Sequence, residues 1–351
     1  MSLDPRGDLI ALFRAIVDIE SVSGNERELA DQIELALRPC AHLEVLRDGD
    51  TVIARTHLGR DERVVIAGHL DTVPVAGNLP SWVEGDLVYG RGTCDMKGGV
   101  AVMLAAAVAL EAPSSDLTWI FYDHEEVESA ANALTRIAAT RPELLTGGFA
   151  VLMEPSNARV EGGCQGTLRF TVTTTGRAAH SARAWMGHNA IHDAADVLAR
   201  LRDHVPERPE VDGLRFHEGL EAVGIAGGIA GNVIPDRCTI AINYRFAPHR
   251  SVEEAKDYCR AVLDGYELTF TDAAAGARPG LDRPAAAAFV AAVGGEPSAK
   301  FGWTDVARFS ALGVPAVNFG PGNPEKAHAD DEFCPVADLY TCRDALLRWL
   351  I

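Results

Sequence analysis

The stretch RVVIAGHLDTVP, residues 63–74, joins an apolar run to a histidine and an aspartate that follow it directly. Residues 63–68 are rich in β-branched and apolar side chains, as expected of a buried strand. Similar runs occur farther along the chain as LTWIFY (117–122), GFAVLM (148–153) and VPAVNFG (314–320). Helical segments such as residues 98–112 separate them. Strands that alternate with helices predict an α/β fold with a largely parallel sheet.

The pattern changes at about residue 165. Two alternating strands, TLRFTVTTTG and RCTIAINYRFAP, are accompanied by helical segments near 189–204 and 251–264, which indicates an α+β arrangement. The Gly/Ala/Pro-rich stretch DAAAGARPG, residues 272–280, is predicted to be a linker. The sequence therefore predicts a discontinuous α/β domain, residues 1–164 and 277–351, with a smaller α+β domain, residues 165–276, inserted in it.

Composition limits the classes of protein that this chain can represent. Its 351 residues favour roughly two domains. With 47% hydrophobic and 23% charged residues, the chain is typical of a globular protein rather than a disordered or coiled-coil one. Fifty Asp and Glu residues against 32 Lys and Arg give a net charge of −18. This acidity argues against nucleic acid or an anionic membrane as partner, but a small anionic substrate stays compatible with a local cluster of arginines.

The cysteines and the N-terminal residues predict a cytoplasmic protein. Seven scattered cysteines, with no C-x-x-C pair, favour neither a disulfide framework nor a thiolate zinc site. Acidic residues interrupt the apolar residues of the first twenty positions, unlike a secretory signal. No apolar run has the length that a membrane span requires.

Residues able to bind metal follow each of the four strand-like runs. They are His69, the pair Glu125 and Glu126, Glu154 and His328, with Asp95 in the glycine-rich loop GRGTCDMKGG. In an open α/β sheet, ligands bind beyond the carboxyl ends of the strands, so we expect these side chains to converge. Each one alone is also compatible with a solvated loop residue.

Three local patterns support this hypothesis, and each has a simpler alternative. His69 and Asp71 share one face of an extended segment, so Asp71 can accept the second imidazole N–H; a surface hydrogen bond is the alternative. Asp95 stands among glycines that permit close backbone approach, or it caps the following helix. Glu125 and Glu126 point in different directions, so one can bind metal while the other faces a water; otherwise both are solvated acids at a helix start.

Together, several segments resemble the M20 family of zinc amidohydrolases and peptidases. They are GHLDTVP, GRGTCDMKGG, the Glu125–Glu126 pair, MEPSN, GRAAHSARAWMGHNAI, NVIP, GWTDVARF and AHADDE, in that order. Within the family they are most similar to the succinyl-diaminopimelate desuccinylases of actinobacterial type. The resemblance implies a zinc-peptidase-like catalytic domain and an inserted lid or dimerisation domain.

The resemblance also implies a pair of zinc ions bridged by Asp95 and a water. His69 and Glu154 would complete one zinc site, and Glu126 and His328 the other. Glu125 would be the general base and then the acid, with Asp71 behind His69. Imidazole and carboxylate ligands suit zinc, although Co²⁺ or manganese is also compatible with them.

Further residues are expected to bind the substrate. His180 resembles the histidine that reaches the partner subunit's site in a homodimer and stabilises the oxyanion. Asn232 and Arg245 match positions that grip the acyl carboxylate, and Thr304 and Arg308 resemble a segment that meets substrate carboxylates. Arginine suits this task because its planar fork binds a carboxylate through two hydrogen bonds.

The expected activity is hydrolysis of N-succinyl-LL-2,6-diaminopimelate to succinate and LL-2,6-diaminopimelate, in lysine biosynthesis. One alternative keeps the scaffold and changes the substrate, as in an acetylornithine deacetylase, an aminoacylase or a carboxypeptidase. A second alternative is a noncatalytic binding protein that has kept the fold, although such a protein would be expected to have lost a ligand or the base.

Overall fold

A computed structural model describes residues 3–351 and divides them into two compact units. The first covers the described residues up to Gly162, with Pro279–Ser298 and Arg308–Ile351; the second covers Gly163–Arg278 and Ala299–Ala307. The sequence-based division, at 164/165 and 276/277, remains a prediction of the domain boundaries, and the compact units change at 162/163 and 278/279. Residues 299–307, however, belong to the second unit, because Trp303 Nε1 donates to the Ala275 carbonyl at 3.1 Å and the Phe301 ring stacks on His217.

The secondary structure is as follows. The helices are α1 (Leu9–Val17), α2 (Arg27–Leu37), α3 (Gly98–Ala109), α4 (Ala133–Thr140), α5 (Ala190–Asp203), α6 (Val252–Val262), α7 (Pro284–Val293), α8 (Val306–Ala311) and α9 (Val336–Leu350). The strands are β1 (Glu44–Asp48), β2 (Thr51–Arg55), β3 (Arg63–His69), β4 (Trp82–Glu84), β5 (Leu87–Tyr89), β6 (Asp116–Tyr122), β7 (Phe149–Leu152), β8 (Glu161–Gly162), β9 (Gly166–Thr175), β10 (Ala179–His180), β11 (Glu210–Val211), β12 (Leu214–Arg215), β13 (Gly219–Gly227), β14 (Val233–Ile234), β15 (Arg237–Phe246), β16 (Leu268–Ala274), β17 (Ser298–Ala299), β18 (Ala316–Asn318) and β19 (Phe333–Pro335).

The main sheet of the first unit has the order β1-β2-β6-β3-β7-β18-β8, with β17 at its edge. Its central strands β6, β3, β7 and β18 are parallel, so their carboxyl ends lie along one edge of the sheet. These are the four strands that the apolar runs predict. The predicted α/β fold with a smaller α+β part is confirmed.

Helix α3 lies in the core of the first unit, which explains its almost entirely apolar sequence. Nearly all of its residues are buried, and it belongs to the same apolar cluster as α1, α2 and α9. A helix that is hydrophobic on every face is stable only when neighbours cover each face. Gly99 in its first turn lies so close to the chain that an added Cβ would be 2.3 Å from the Met153 carbonyl oxygen. The helix start is thereby held against the residue that precedes Glu154.

The second unit contains an antiparallel sheet with the order β13-β15-β9-β16, covered by α5 and α6. The alternation of apolar and polar residues explains why one face of this sheet is covered, since β15 is buried at every second residue. Ser251 begins α6 with a capping box, in which its hydroxyl accepts from the Glu254 backbone N–H. Two short pairs, β10-β14 and β11-β12, complete the unit.

One local expectation is wrong, and one alternative interpretation is excluded. Residues 272–274, predicted as part of a linker, extend β16 and pair with β9. Asp95 does not cap α3, since Lys97 holds the N-cap position. Among residues 3–351, no helix combines the length and the apolar character needed to span a bilayer.

Candidate metal centre

Asp95 lies between two histidines of the first unit. Its Oδ1 is 3.1 Å from His69 Nε2, and its Oδ2 is 3.4 Å from His328 Nε2. His69 is the last residue of β3, whereas His328 follows β18. The structure thus brings together residues that are distant in sequence, with one carboxylate oxygen of Asp95 facing each imidazole. This is the geometry that a bridging carboxylate requires.

Glu126 completes the group on the His328 side. His328 Nε2 is 2.9 Å from Glu126 Oε1. Single donor atoms of His69, Asp95 and Glu126 all lie within 4.8 Å of one another. Imidazole nitrogens and carboxylate oxygens at such spacing are the ligand types that zinc and related divalent ions accept. The donor set therefore fits a metal centre.

Glu154 and Glu125 lie near the same cluster. Glu154 is buried after β7, and the charges of both glutamates act on His69. The backbone before Glu154 is fixed, since Met153 donates to the Ala67 carbonyl at 2.9 Å. Close packing of Gly320 against the Glu154 carbonyl, where an added Cβ would be 2.6 Å away, holds the segment from the other side.

The electrostatics of the cluster have one cause, an excess of carboxylates over imidazoles. Although burial disfavours the charged form of His69, its contacts with Asp71 and Asp95 raise its pKa well above the usual value. Hydrogen bonds to Asp95 and Glu126 raise the pKa of His328 to about 10. Burial opposes ionisation of Asp95, but hydrogen bonds from His328 and His69 outweigh it and hold its pKa well below the usual range. The cluster attracts positive charge, which divalent cations supply.

Asp71 differs in detail from the expectation. His69 Nδ1 is 3.0 Å from the Asp71 backbone carbonyl oxygen but 3.5 Å from its Oδ1, so the backbone is the nearer acceptor. The carboxylate instead accepts the backbone N–H groups of Glu125 and Glu126, each at 2.9 Å. Burial opposes its charge, yet contacts with His69 and Ser23 lower the pKa of Asp71 to about 2. Asp71 thus holds the glutamate pair as well as lying behind His69.

Two residues near the centre were not identified from the sequence. Ser23 donates its hydroxyl hydrogen to Asp71 Oδ2 at 2.7 Å. Glu26, fully buried, accepts the backbone N–H of Gly24 at 2.9 Å and of His124 at 3.3 Å. Both lie in the segment just before α2, where polar residues are common, and no local pattern distinguishes them.

The second unit places His180 beside Asn232. Ser181 N–H donates to the Asn232 carbonyl at 2.9 Å, and β10 pairs with β14. His180 Nδ1 accepts the Ala182 N–H at 3.1 Å, which leaves Nε2 to carry the proton of the neutral ring. Arg245 lies on β15 in a different sheet, and burial lowers its pKa. Thr304 is buried in the same unit.

Arg308 belongs to the first unit and begins its third segment. Its Nη2 donates to Ser129 Oγ at 3.0 Å, and its Nη1 donates to the Thr135 hydroxyl. Both hydroxyls follow the Glu125–Glu126 pair in sequence. The guanidinium is therefore oriented by the segment that starts at the candidate centre.

Comparison with known proteins identifies the same family. The sequence matches the profile of Peptidase family M20/M25/M40 over residues 65–351. It is 53% identical to a Mycobacterium tuberculosis protein provisionally assigned as the succinyl-diaminopimelate desuccinylase DapE, over 99% of both chains. It is 45% identical to succinyl-diaminopimelate desuccinylase of Corynebacterium glutamicum, covering 99% of this chain and 97% of that one.

Solved structures agree on the fold. A tripeptidase from Staphylococcus aureus superposes with a TM-score of 0.79 at 20% identity, covering 100% of this chain and 98% of the other. At that identity the likeness concerns the fold alone. The profile match and the 53% identity over nearly the full length show that this chain belongs to the M20/M25/M40 peptidase family.

Proposed function

We propose that this chain hydrolyses N-succinyl-LL-2,6-diaminopimelate to succinate and LL-2,6-diaminopimelate, a step of lysine biosynthesis. The observation that carries the proposal is the group around Asp95, in a chain 45% identical over nearly its whole length to a succinyl-diaminopimelate desuccinylase. The substrate is a small anion, which is compatible with a net charge of −18 only if local cations bind it.

We propose zinc as the metal, two ions per subunit, with cobalt as a substitute. His69 and Glu154 would hold one ion, Glu126 and His328 the other, and Asp95 would bridge them. The geometry around Asp95 supports this assignment, because each of its oxygens faces a different histidine. When bound, such ions make water acidic enough to attack at neutral pH and polarise the scissile carbonyl.

Glu125 is proposed as the proton carrier. It accepts a proton from the attacking water as the oxygen bonds to the amide carbon, and it returns that proton to the amine as the C–N bond breaks. Its backbone is fixed by Asp71, which keeps the carboxylate in place beside its neighbour Glu126. One residue of the pair thus moves a proton while the other binds metal.

The second unit is proposed to supply substrate contacts and a homodimer interface. His180 would donate Nε2–H to the oxyanion of the partner subunit's site, and its Nδ1 bond to Ala182 supports that tautomer. Asn232, Arg245, Thr304 and Arg308 would bind the substrate carboxylates. The edge strand β13 supports a dimer, since Val223 and Ile225 on it are 67% and 54% exposed.

We also propose a cytoplasmic location. All seven cysteines are buried and none of them forms a disulfide, as is usual for a reducing compartment.

The deciding experiment supplies the zinc-loaded protein with N-succinyl-LL-2,6-diaminopimelate and with N-acetylornithine at equal concentration. We expect release of a primary amine from the first substrate and far less from the second. Cleavage of N-acetylornithine alone would move the chain to another deacylase of the family. Failure with both, by a protein that binds zinc, would favour a noncatalytic role.

A further inference from the structure

Glu332 accepts several hydrogen bonds from the loop that carries Asp95. Its side chain is 1% exposed. Its Oε1 accepts the backbone N–H of Cys94 at 2.9 Å and of Asp95 at 3.2 Å, and its Oε2 accepts the Gly92 N–H at 3.1 Å. One carboxylate thus accepts three backbone N–H groups of this loop. The sequence places Glu332 at the end of AHADDE, but assigns it no task.

Arg91 extends this contact to two more segments. Its Nη1 donates to Glu332 Oε2 at 3.0 Å and to the Ala329 carbonyl at 3.1 Å, whereas its Nε donates to the Pro74 carbonyl at 3.0 Å. Ala329 follows His328 directly, and Pro74 ends the segment that begins at His69. The buried ion pair therefore joins the three segments that carry His69, Asp95 and His328.

The hydrogen bonds also determine what Glu332 cannot do. An ionised carboxylate has about four lone-pair directions. Here three backbone N–H groups and one guanidinium occupy them. Glu332 has no oxygen left for a metal ion, although it lies beside Asp95. Its effect on the centre must act through the position of Asp95.

We propose that Glu332, paired with Arg91, is a positioning residue that fixes the Asp95 loop on the His328 segment and so sets the metal affinity of the centre. The proposal rests on the metal centre proposed above. Partners of metal ligands commonly change metal affinity by about 10- to 100-fold when they are replaced.

The test is metal binding by the folded protein, measured without substrate. In Glu332→Gln, the amide NH₂ replaces an acceptor and faces donors that a carboxylate would satisfy. We expect the affinity for Zn²⁺, measured by competition with a chromophoric chelator, to fall about 10- to 100-fold. The absorption spectrum of the Co²⁺-loaded variant should also change. Glu332→Asp keeps the charge, so it should recover part of the Zn²⁺ affinity and part of the wild-type Co²⁺ spectrum.

Glu218 offers a matched control in the second unit. It is buried and accepts from Ala247 N–H at 2.9 Å, from Tyr244 hydroxyl at 2.7 Å and from Arg250. Glu218→Gln should lower the melting temperature and leave Zn²⁺ affinity within twofold of wild type. If Glu332 were merely structural, both glutamine variants would behave in this way, and the proposal would be overturned.

A second measurement applies even if Glu332→Gln fails to fold. In the wild type stripped of metal, we expect the amides of Gly92, Cys94 and Asp95 to exchange slowly with deuterium, because Glu332 already accepts them. Exchange as fast as in an exposed loop would overturn the positioning role. A wild type that binds neither Zn²⁺ nor Co²⁺ would instead overturn the metal centre itself, and the positioning role with it.

Discussion

Asp71 Oδ1 lies 2.9 Å from the backbone nitrogen of Glu125, so a carboxylate beyond the end of β3 holds the backbone of a loop beyond the end of β6. The second oxygen of Asp71 holds the next residue in the same way. The direction of both glutamate side chains therefore depends on Asp71, independently of any effect on His69.

Replacing Asp71 with Asn should lower kcat by about 10- to 100-fold while most of the metal is retained. The amide nitrogen cannot accept, so one of the two backbone N–H groups loses its partner. Steady-state kinetics and metal analysis of the purified variant check this. Asp116→Asn is the control, because Asp116 also accepts two backbone N–H groups in the same unit but lies at the start of β6, whereas the glutamate pair follows the end of that strand. An unchanged kcat in Asp71→Asn would contradict the positioning of the pair.

Replacing Glu125 and replacing Glu126 should affect different properties, namely turnover and metal binding. Glu125→Gln should lower kcat by about 10²- to 10⁴-fold, because a general base is lost, and should keep its metal. Glu126→Gln should weaken metal binding, because Glu126 Oε1 is the atom facing His328. Zinc titration alongside kinetics separates the two effects. The opposite pattern would exchange the assigned roles.

Removing metal should destabilise the protein as well as inactivate it. Without cations, the charges of Asp95, Glu126 and neighbouring carboxylates repel one another. A ligand at 1,000 times its Kd stabilises the native state by about 4.1 kcal/mol, so dipicolinate treatment should lower Tm and added Zn²⁺ should restore it. His57→Ala, which alters an exposed histidine paired with Glu44, should respond like wild type, whereas His328→Ala should respond less to Zn²⁺. A Tm and an activity that chelation leaves unchanged would contradict a metal centre.

The sequence predicts the strands of the centre well, since their apolar runs are long and each is followed by a polar residue. It does not predict the contacts that hold those residues. Glu332 accepts from Asp95 across 237 positions of the chain, and no local pattern encodes such a pair. His69 Nδ1 lies nearer to the backbone carbonyl of Asp71 than to its carboxylate, which also accepts two backbone N–H groups from the loop after β6. Helix α4 begins only at Ala133, where Asn132 caps it, rather than directly after the glutamates.

Arg308 tests the identity of the acyl group. Arg308→Ala should lower kcat/KM for the succinylated substrate by about 10- to 100-fold, in the range expected for loss of a hydrogen bond to a charged group. It should affect N-acetylornithine far less, since an acetyl group carries no carboxylate. Arg308→Lys keeps the charge but loses the fork, so an intermediate loss is expected. Ser129→Ala removes one of the orienting hydroxyls and should have a smaller effect. Equal losses on both substrates would argue against a succinyl contact.

The lowered pKa of Asp116 predicts how the free energy of unfolding depends on pH. Burial opposes its charge, but hydrogen bonds from Leu58 N–H, the Thr56 hydroxyl and Arg60 N–H lower its pKa below the usual 3.8. A carboxyl whose pKa is lower when folded stabilises the protein fully above its unfolded pKa, and the effect is lost as pH falls through the folded pKa. Asp116→Asn should therefore reduce the free energy of unfolding by about 1–3 kcal/mol at pH 7 and equally at pH 5. The difference from wild type should shrink only below about pH 3.8.

Urea denaturation at several pH values measures this difference in the free energy of unfolding, with Asp61→Asn, at an exposed position, as the unaffected control. If Asp116→Asn were less stable than wild type only at acidic pH, Asp116 would stabilise the protein through something other than its charge.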